Sequence, residues 1–72
     1  MTNQPAKKIR IGSITATVWE NDGRYSVDMS RSYKTDTGEW RNSNSFFHSD
    51  LLNLAKCAER AEIWIGRQAS AK

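Results

Sequence analysis

The sequence has few of the residues from which catalytic and metal sites are usually built. Its 72 residues include one cysteine, Cys57, and one histidine, His48. One cysteine excludes a disulfide within the chain, and one cysteine with one histidine cannot supply the four ligands of an ordinary zinc site. Neither residue has a catalytic partner at a suitable spacing, and the chain has no glycine-rich phosphate loop. We therefore expect a protein that is not an enzyme and that binds no metal, cofactor or small-molecule substrate.

Long apolar runs are also missing. Residues 1–5 contain no apolar core of a secretory signal, and no run in the sequence approaches the length of a membrane helix. An unpaired cysteine suits a reducing compartment. These features together predict a soluble cytoplasmic protein with no membrane partner.

The size of the chain and its charge point to binding partners. A chain of 72 residues is one domain, and a domain this small buries only about 60% of its unfolded surface. Because no disulfide or metal is available, we expect oligomerisation to supply stability. The formal net charge of +3 and the pI near 9.4 favour an anionic partner such as nucleic acid.

The stretch 24–47 predicts a β-hairpin around which the rest of the chain is organised. Tyr25, Val27 and Met29 alternate with polar residues, which is the period of two of a half-buried strand. The segment Thr-Asp-Thr-Gly at 35–38 supplies turn residues. A four-residue loop there sets the register and predicts the cross-strand pairs Lys34–Glu39, Tyr33–Trp40, Ser32–Arg41, Met29–Asn44 and Val27–Phe46.

A second pattern precedes this hairpin. The apolar residues Ile9 and Ile11 are at odd positions, whereas Ile14, Ala16 and Val18 are at even positions, so one straight strand would point the two sets to opposite faces. A bulge or a tight bend at Gly12-Ser13 would let both sets face the core, so residues 9–20 form either one bent strand or a very short strand followed by a longer one.

The turn at 21–23 connects this region to the hairpin. An even-length loop is favoured because it puts Val18 opposite Tyr25 and both on the apolar face. Ala16 is then opposite Val27 and Ile14 opposite Met29. Trp19 is then left on a polar face of small hydroxyl residues.

A helix is predicted from residue 51 to residue 65. Ser49 is a good N-cap, and Asp50 is placed at the positive end of the helix dipole. Gly66 is expected to end the helix. The apolar residues with helical spacing are Leu51, Leu54, Ala55, Ala58, Ala61 and Ile65.

Three apolar residues, Leu52, Ile63 and Trp64, lie off this stripe. They either wrap over a sheet edge or contact the same helix of a second subunit. Because the domain is small, we assign them to a dimer interface.

The sequence therefore predicts an α+β fold. We expect a twisted antiparallel sheet of three to four strands followed by one C-terminal helix, in the order β-β-β-(β)-α, assembled as a symmetric dimer. Residues 1–8 are expected to form a disordered arm, residues 9–66 the domain, and residues 67–72 a frayed tail.

Basic and aromatic residues are interleaved on the predicted sheet. Single-stranded nucleic acid is held by cations that follow its phosphates and by rings that stack on its bases, with about 1–3 kcal/mol for each stacked base. The alternative is that the rings are ordinary cross-strand partners. Arg31, Tyr33 and Trp40 lie near the hairpin tip, where the inner face is expected to extend beyond the helix. The candidate contact residues are Lys8, Arg10, Trp19, Arg24, Arg31, Tyr33, Lys34, Trp40 and Arg41.

A family resemblance supports this interpretation. It rests on the segment Val27-Asp28-Met29 through Tyr33, then on Asp36, Gly38-Glu39 and Arg41, followed by a capped helix. This pattern, over about residues 9 to 65, resembles the DNA-binding domain of the transcriptional coactivator positive cofactor four and its small bacterial and phage relatives. The resemblance implies a sheet followed by a helix, a dimer formed through the helices and single-stranded DNA bound across the sheet.

The same resemblance implies roles for residues at the hairpin tip. Tyr33 stands where the family has an aromatic residue before the tip, and Arg41 where it has a basic residue after it. The chain departs from the family at Asn44 and Ser45, which are neutral where the family's third strand is typically basic.

Two functions follow as hypotheses. The first is a non-catalytic, dimeric and largely sequence-independent binder of single-stranded DNA or RNA. The alternative is a small homodimeric protein-interaction or regulatory module that binds no nucleic acid.

Overall fold

The computed structural model describes residues 4–70 and has a four-stranded antiparallel sheet followed by one helix. Each strand pairs with the next one along the chain, so the sheet order is β1-β2-β3-β4. This arrangement confirms the predicted α+β class and the β-β-β-β-α order. The elements are β1 (Lys7–Ile11), β2 (Ile14–Asn21), β3 (Arg24–Lys34), β4 (Trp40–Ser43), a 3-10 turn (His48–Asp50) and α1 (Leu51–Ser70).

At Gly12-Ser13, where the apolar positions change from odd to even, the chain forms a tight hairpin. Ile11 pairs with Ile14, and Gly12 has a φ of 62°, the left-handed region that glycine adopts without strain. The chain reverses within two residues, so Ile9 and Ala16 become neighbours on one face. Of the two alternatives, the short strand followed by a longer one is the observed structure.

The first strand begins before, and the helix ends after, the predicted limits of the domain. Lys7 and Lys8 belong to β1, and the Ala6 N–H donates to the Val18 carbonyl at 2.7 Å. Residues 1–3 lie outside the described residues. At the other end, Gly66 does not end α1, because its φ is not positive and the helix continues to Ser70. Residues 71–72 also lie outside the described part of the chain.

The loop between β2 and β3 has the predicted even length. It contains two residues, Asp22 and Gly23, with φ of 54° and 83°, as a tight two-residue hairpin turn requires. Val18 pairs with Val27 rather than with Tyr25, so the predicted partners are wrong by two residues. A shift of two leaves every side chain on its predicted face.

The predicted register between β3 and β4 is wrong by one residue. Lys34 pairs with Trp40, and Tyr33 pairs with Arg41. Because successive side chains alternate, a shift of one residue moves all of β4 to the opposite face. Ser43 is the last residue of β4, so the pairs predicted beyond it are also absent.

The cause of this error is the turn at the hairpin tip. The Gly38 N–H donates to the Thr35 carbonyl at 3.0 Å, and the Thr35 N–H donates to the Glu39 carbonyl at 2.8 Å. Gly38 has a φ of 88°. This is a three-residue hairpin loop, a type I turn followed by a left-handed glycine, in place of the predicted four-residue loop.

The core lies between the sheet and α1, which packs mainly against β1 and β2. Ile14, Ala16 and Val18 are all 0% exposed, and Cys57 and Ala61 of α1 cover them. As predicted, the apolar residues of β2 and β3 share one side with Leu54. The partly buried residues packed around this centre are Ile11, Tyr25, Val27, Met29, Phe46, Leu54, Trp64 and Ile65.

The buried stripe of α1 differs from the predicted one. Leu51, Ala55 and Ala58 are exposed, whereas Cys57 is fully buried. Trp64 packs within the chain, edge-to-face against Tyr25 with 6.2 Å between ring centroids. With Cys57 and Trp64 on the side that faces the sheet, α1 is rotated about its axis relative to the predicted orientation.

Two of the three residues assigned to a dimer interface remain outside the core. Leu52 is 84% exposed and Ile63 is 47% exposed. Trp64 is instead part of the chain's own core. Within residues 4–70, no helix has the length and apolar content needed to cross a membrane.

Two of the four glycines, Gly12 and Gly66, offer a matched test of the backbone conformation at the β1–β2 turn and within α1. An alanine at position 12 would have to adopt the left-handed backbone conformation, and its Cβ would lie 3.1 Å from Asn53 Nδ2. We expect Gly12→Ala to lower the free energy of unfolding by about 1–2 kcal/mol. Gly66→Ala, with no atom within 4 Å of its Cβ, should raise it by about 0.5–1 kcal/mol. Urea denaturation measures both, and a loss at Gly66 would contradict the continuous helix.

The buried Cys57 predicts a pH dependence of stability. Burial raises the pKa of the Cys57 thiol, so the unfolded chain loses this proton at a lower pH than the folded chain. Stability is therefore complete below the ordinary thiol pKa of about 8.5 and falls as the pH rises above it, by at most about 1.4 kcal/mol per pH unit. Urea denaturation at increasing pH should show this loss in the wild type and not in Cys57→Ala. Parallel pH profiles would contradict it.

Candidate nucleic-acid interface

The side of the sheet opposite α1 is not covered by any element of residues 4–70. Because Ile14, Ala16 and Val18 face the helix, the residues between them face away from it. The strand register extends this surface over the neighbouring strands. We call it the open face, formed by Lys8, Arg10, Thr15, Thr17, Trp19, Arg24, Ser26, Asp28, Ser30, Ser32, Lys34, Trp40 and Asn42.

Six of the nine predicted contact residues lie on the open face, namely Lys8, Arg10, Trp19, Arg24, Lys34 and Trp40. The other three, Arg31, Tyr33 and Arg41, lie on the side of the sheet that faces α1. Serine and threonine side chains occupy most of the space between the six.

The four cations of the open face are exposed and lie at its margins. Lys8 and Arg10 are on β1 at one edge, while Arg24 and Lys34 are at the two ends of β3. At about 3.3 Å per residue, the ends of β3 are roughly 33 Å apart. None of the salt bridges among residues 4–70 involves these four side chains. Their charges are therefore available to an external anion.

Trp19 is fixed in place on the open face. Its Nε1–H donates to Asp28 Oδ2 at 3.0 Å, across the β2–β3 pair. The ring lines a shallow pocket of about 420 Å³ that also includes Glu20, Ser26 and Asp28. Carboxylates repel phosphate, so this pocket suits an uncharged planar group better than a phosphate. Sequence reasoning did not predict the bond between Asp28 and Trp19, because it depends on the β2–β3 register.

Trp40 is the most accessible aromatic residue on the open face. It is 67% exposed and lies directly opposite Lys34. The predicted pairing with Tyr33 is wrong because the register differs by one residue. The result is a ring and a cation side by side at the end of the sheet.

Arg31 is not part of the open face. Its Nε–H donates to the Ser45 carbonyl at 3.0 Å and lies 3.6 Å from Asp50 Oδ2, and both charged side chains are only 14% exposed. The guanidinium lies 4.5 Å from the Phe47 ring centroid and 5.3 Å from that of Tyr33. Arg31 therefore connects β3 to the segment before α1, on the side of the sheet away from the open face.

The start of α1 is organised by the same cluster. The Phe47 N–H donates to Asp50 Oδ2 at 3.1 Å, and the Asp50 N–H donates to the Phe47 carbonyl at 2.9 Å. Ser49, the predicted N-cap, instead lies within the 3-10 turn that precedes the helix. Asp50 thus serves both the turn and Arg31.

Tyr33 and Arg41, to which the family resemblance assigns binding roles, pair with each other on the α1 side of the sheet. Arg41 also forms an exposed ion pair with Glu39, with 3.0 Å between Nη2 and Oε1. The Tyr33 side chain is 36% exposed, and the Arg31 guanidinium lies over its ring. Neither residue can contact a strand that lies on the open face.

Comparison of the chain with known protein families, with curated protein sequences and with solved structures finds no match. The resemblance to the positive cofactor four family therefore stays a hypothesis. Among the described residues, no group of three or more His, Cys, Asp or Glu side chains is arranged to hold a metal ion.

The structural role assigned to Arg31 is testable. Arg31→Ala should lower the free energy of unfolding by about 1–3 kcal/mol, because it leaves the Ser45 carbonyl without its donor and the largely buried Asp50 carboxylate without its cation. A double-mutant cycle with Asp50→Ala should show coupling of at least about 0.5 kcal/mol. Arg41→Ala is the control, since its exposed ion pair contributes at most about 1 kcal/mol. Equal small losses at both arginines would contradict the assignment.

Proposed function

We propose that the chain is a non-catalytic protein that binds single-stranded DNA or RNA on the open face of its sheet. The observation that supports this most directly lies on the side that α1 does not cover, where two tryptophans are grouped with four cations that form no salt bridge with the rest of the described chain. Recognition through phosphates and ring faces does not depend on base identity, so binding is largely independent of sequence.

The phosphates contact the margins of the open face. Lys8, Arg10, Arg24 and Lys34 carry the positive charge there, and each contact releases counterions from the nucleic acid. For a single strand, each contact adds about 0.7 to the slope of log affinity against log salt concentration.

The bases contact the tryptophans. Trp40 offers an exposed ring face beside Lys34, and Trp19 is held in a fixed orientation by Asp28. Small side chains such as Thr17 and Ser30 between them allow a strand to approach the sheet closely. Stacking on each ring contributes about 1–3 kcal/mol.

The proposed protein is a homodimer in the cytoplasm. Leu52 and Ile63 lie exposed on α1, on the side of the sheet away from the open face, so helix contacts between two subunits would leave both open faces free. Its single thiol requires no oxidising compartment.

The salt dependence of binding tests this proposal with two arginines on opposite faces. A fluorescence titration with labelled oligo-dT at several salt concentrations should give a slope that falls by about 0.7 in Arg24→Gln. Arg41→Gln is the matched control and should leave the slope unchanged, because Arg41 faces the α1 side. Trp40→Ala should lower the affinity by about 1–3 kcal/mol without changing the slope.

Three results would contradict the proposal. These are no binding at low salt, equal affinity for duplex and single strand, and equal effects of Arg24→Gln and Arg41→Gln. Absence of tryptophan quenching on addition of oligonucleotide would instead favour the alternative, a protein-interaction module.

A further inference from the structure

A second concave surface lies between β1 and α1, and it shares only Lys8 and Arg10 with the proposed nucleic-acid site. It is a groove of about 410 Å³ between β1 and the C-terminal half of the helix. Its charged lining residues are Lys7, Lys8 and Arg10 from the strand and Arg60 and Arg67 from the helix. All five are cations, and no carboxylate lines the groove. We call it the β1–α1 groove.

The same groove has apolar walls. Ile63 is 47% exposed, and Ile9 and Trp64 line the groove from the edge of the core. Arg60, Ile63, Trp64 and Arg67 are spaced three and four residues apart, so they form one face of α1 beside the strand. The groove therefore combines positive charge with an apolar surface, which a purely phosphate-binding site does not need.

The strand that forms one wall, β1, is at the edge of the sheet. One row of its backbone N–H and C=O groups consequently has no strand partner among residues 4–70. Edge strands of this kind accept an additional strand from another polypeptide. An added strand of about five residues would match the length of β1.

The charges decide which strand fits. A second copy of β1 would bring Lys7, Lys8 and Arg10 against the same residues of the first copy, and like charges on adjacent strands are destabilising. These cations thus protect the edge from self-association. A strand that carries carboxylates is attracted by the same charges.

Nucleic acid fits the groove less well than a peptide does. Phosphates would pair with the cations, but a sugar–phosphate backbone does not supply the alternating N–H and C=O groups that an edge strand pairs with. It also gives no reason for the exposed Ile63 beside the arginines.

We propose that the β1–α1 groove binds an acidic peptide segment, which adds to the sheet as a strand beside β1. The side chains of the added strand point alternately to the α1 side and to the open face. On the α1 side, two carboxylates pair with Arg60 and Arg67, and an apolar side chain between them covers Ile63 and Trp64. On the open face, carboxylates pair with Lys8 and Arg10. Lys8 and Arg10 also belong to the open face, so a bound peptide weakens nucleic-acid binding.

The test uses the full chain without nucleic acid and the fluorescein-labelled peptide Glu-Glu-Val-Glu-Glu, in which the first, third and fifth side chains of a strand share one side. Anisotropy should report saturable binding, and the same peptide with lysine in place of each glutamate should not bind. Two N-methylated peptides, blocked at odd or at even backbone nitrogens, keep every charge. Since only alternate N–H groups of an added strand face its neighbour, one of the two should lose binding and the other should retain it.

Variants locate the site. The double variant Arg60→Gln with Arg67→Gln should bind the peptide about tenfold more weakly, as expected for the loss of two partly exposed ion pairs. The control is Arg41→Gln with Lys56→Gln, which removes the same charge outside the groove and should bind as the wild type does.

The outcomes separate this proposal from the proposed function. Absence of peptide binding, equal binding of both N-methylated peptides, or equal effects of the two double variants would overturn it. Loss of oligo-dT affinity in Arg60→Gln with Arg67→Gln, without peptide binding, would assign the groove to nucleic acid instead. Peptide binding as described supports the proposal even if oligo-dT does not bind the open face.

Discussion

A β-strand directs successive side chains to opposite sides, and β2 follows this rule strictly. Ile14, Ala16 and Val18 have no exposed surface, while the residues between them point away from the helix. Cys57 and Ala61, which cover them, have small side chains, so α1 can lie close against the strand. One helix can cover only one side of a sheet. The two-sided character of β2 therefore determines where the chain has a core and where it has an accessible surface.

The length of β3 creates a second constraint. With 11 residues it is the longest strand of the described chain. Near its C-terminal end, Arg31 connects it to the segment before α1, since its guanidinium lies close to the rings of Tyr33 and Phe47 and to Asp50. The positive side chain of Arg31 packs against aromatic rings and pairs with a carboxylate, whereas the exposed cations of β1 form no salt bridge in the described chain. The burial of each cation, more than its position in the sequence, separates Arg31 from the cations of β1.

Alternation in the sequence was sufficient to predict the faces of β1, β2 and β3, and with them most of the open face. It could not predict the β3–β4 register, because that depends on whether Gly38 is the last residue of a four-residue loop or the left-handed residue of a three-residue loop. Arg41 was placed on the wrong side for this reason alone. The sequence pattern also failed to predict the orientation of α1. Leu51, Ala55 and Ala58 fit an apolar stripe with helical spacing as well as Cys57 and Trp64 do. In the structure Trp64 packs against Tyr25, and that contact joins residues far apart in the sequence.

The order of the strands has a consequence for the synthesis of the protein. Every strand pairs with its predecessor, so the sheet can grow hairpin by hairpin as the chain leaves the ribosome, through contacts that are local in sequence. The helix that covers Ile14, Ala16 and Val18 is made last. Nascent chains consequently pass through a stage in which the sheet is nearly complete but its apolar face is exposed to water. At this stage they are most prone to aggregate or to need a chaperone.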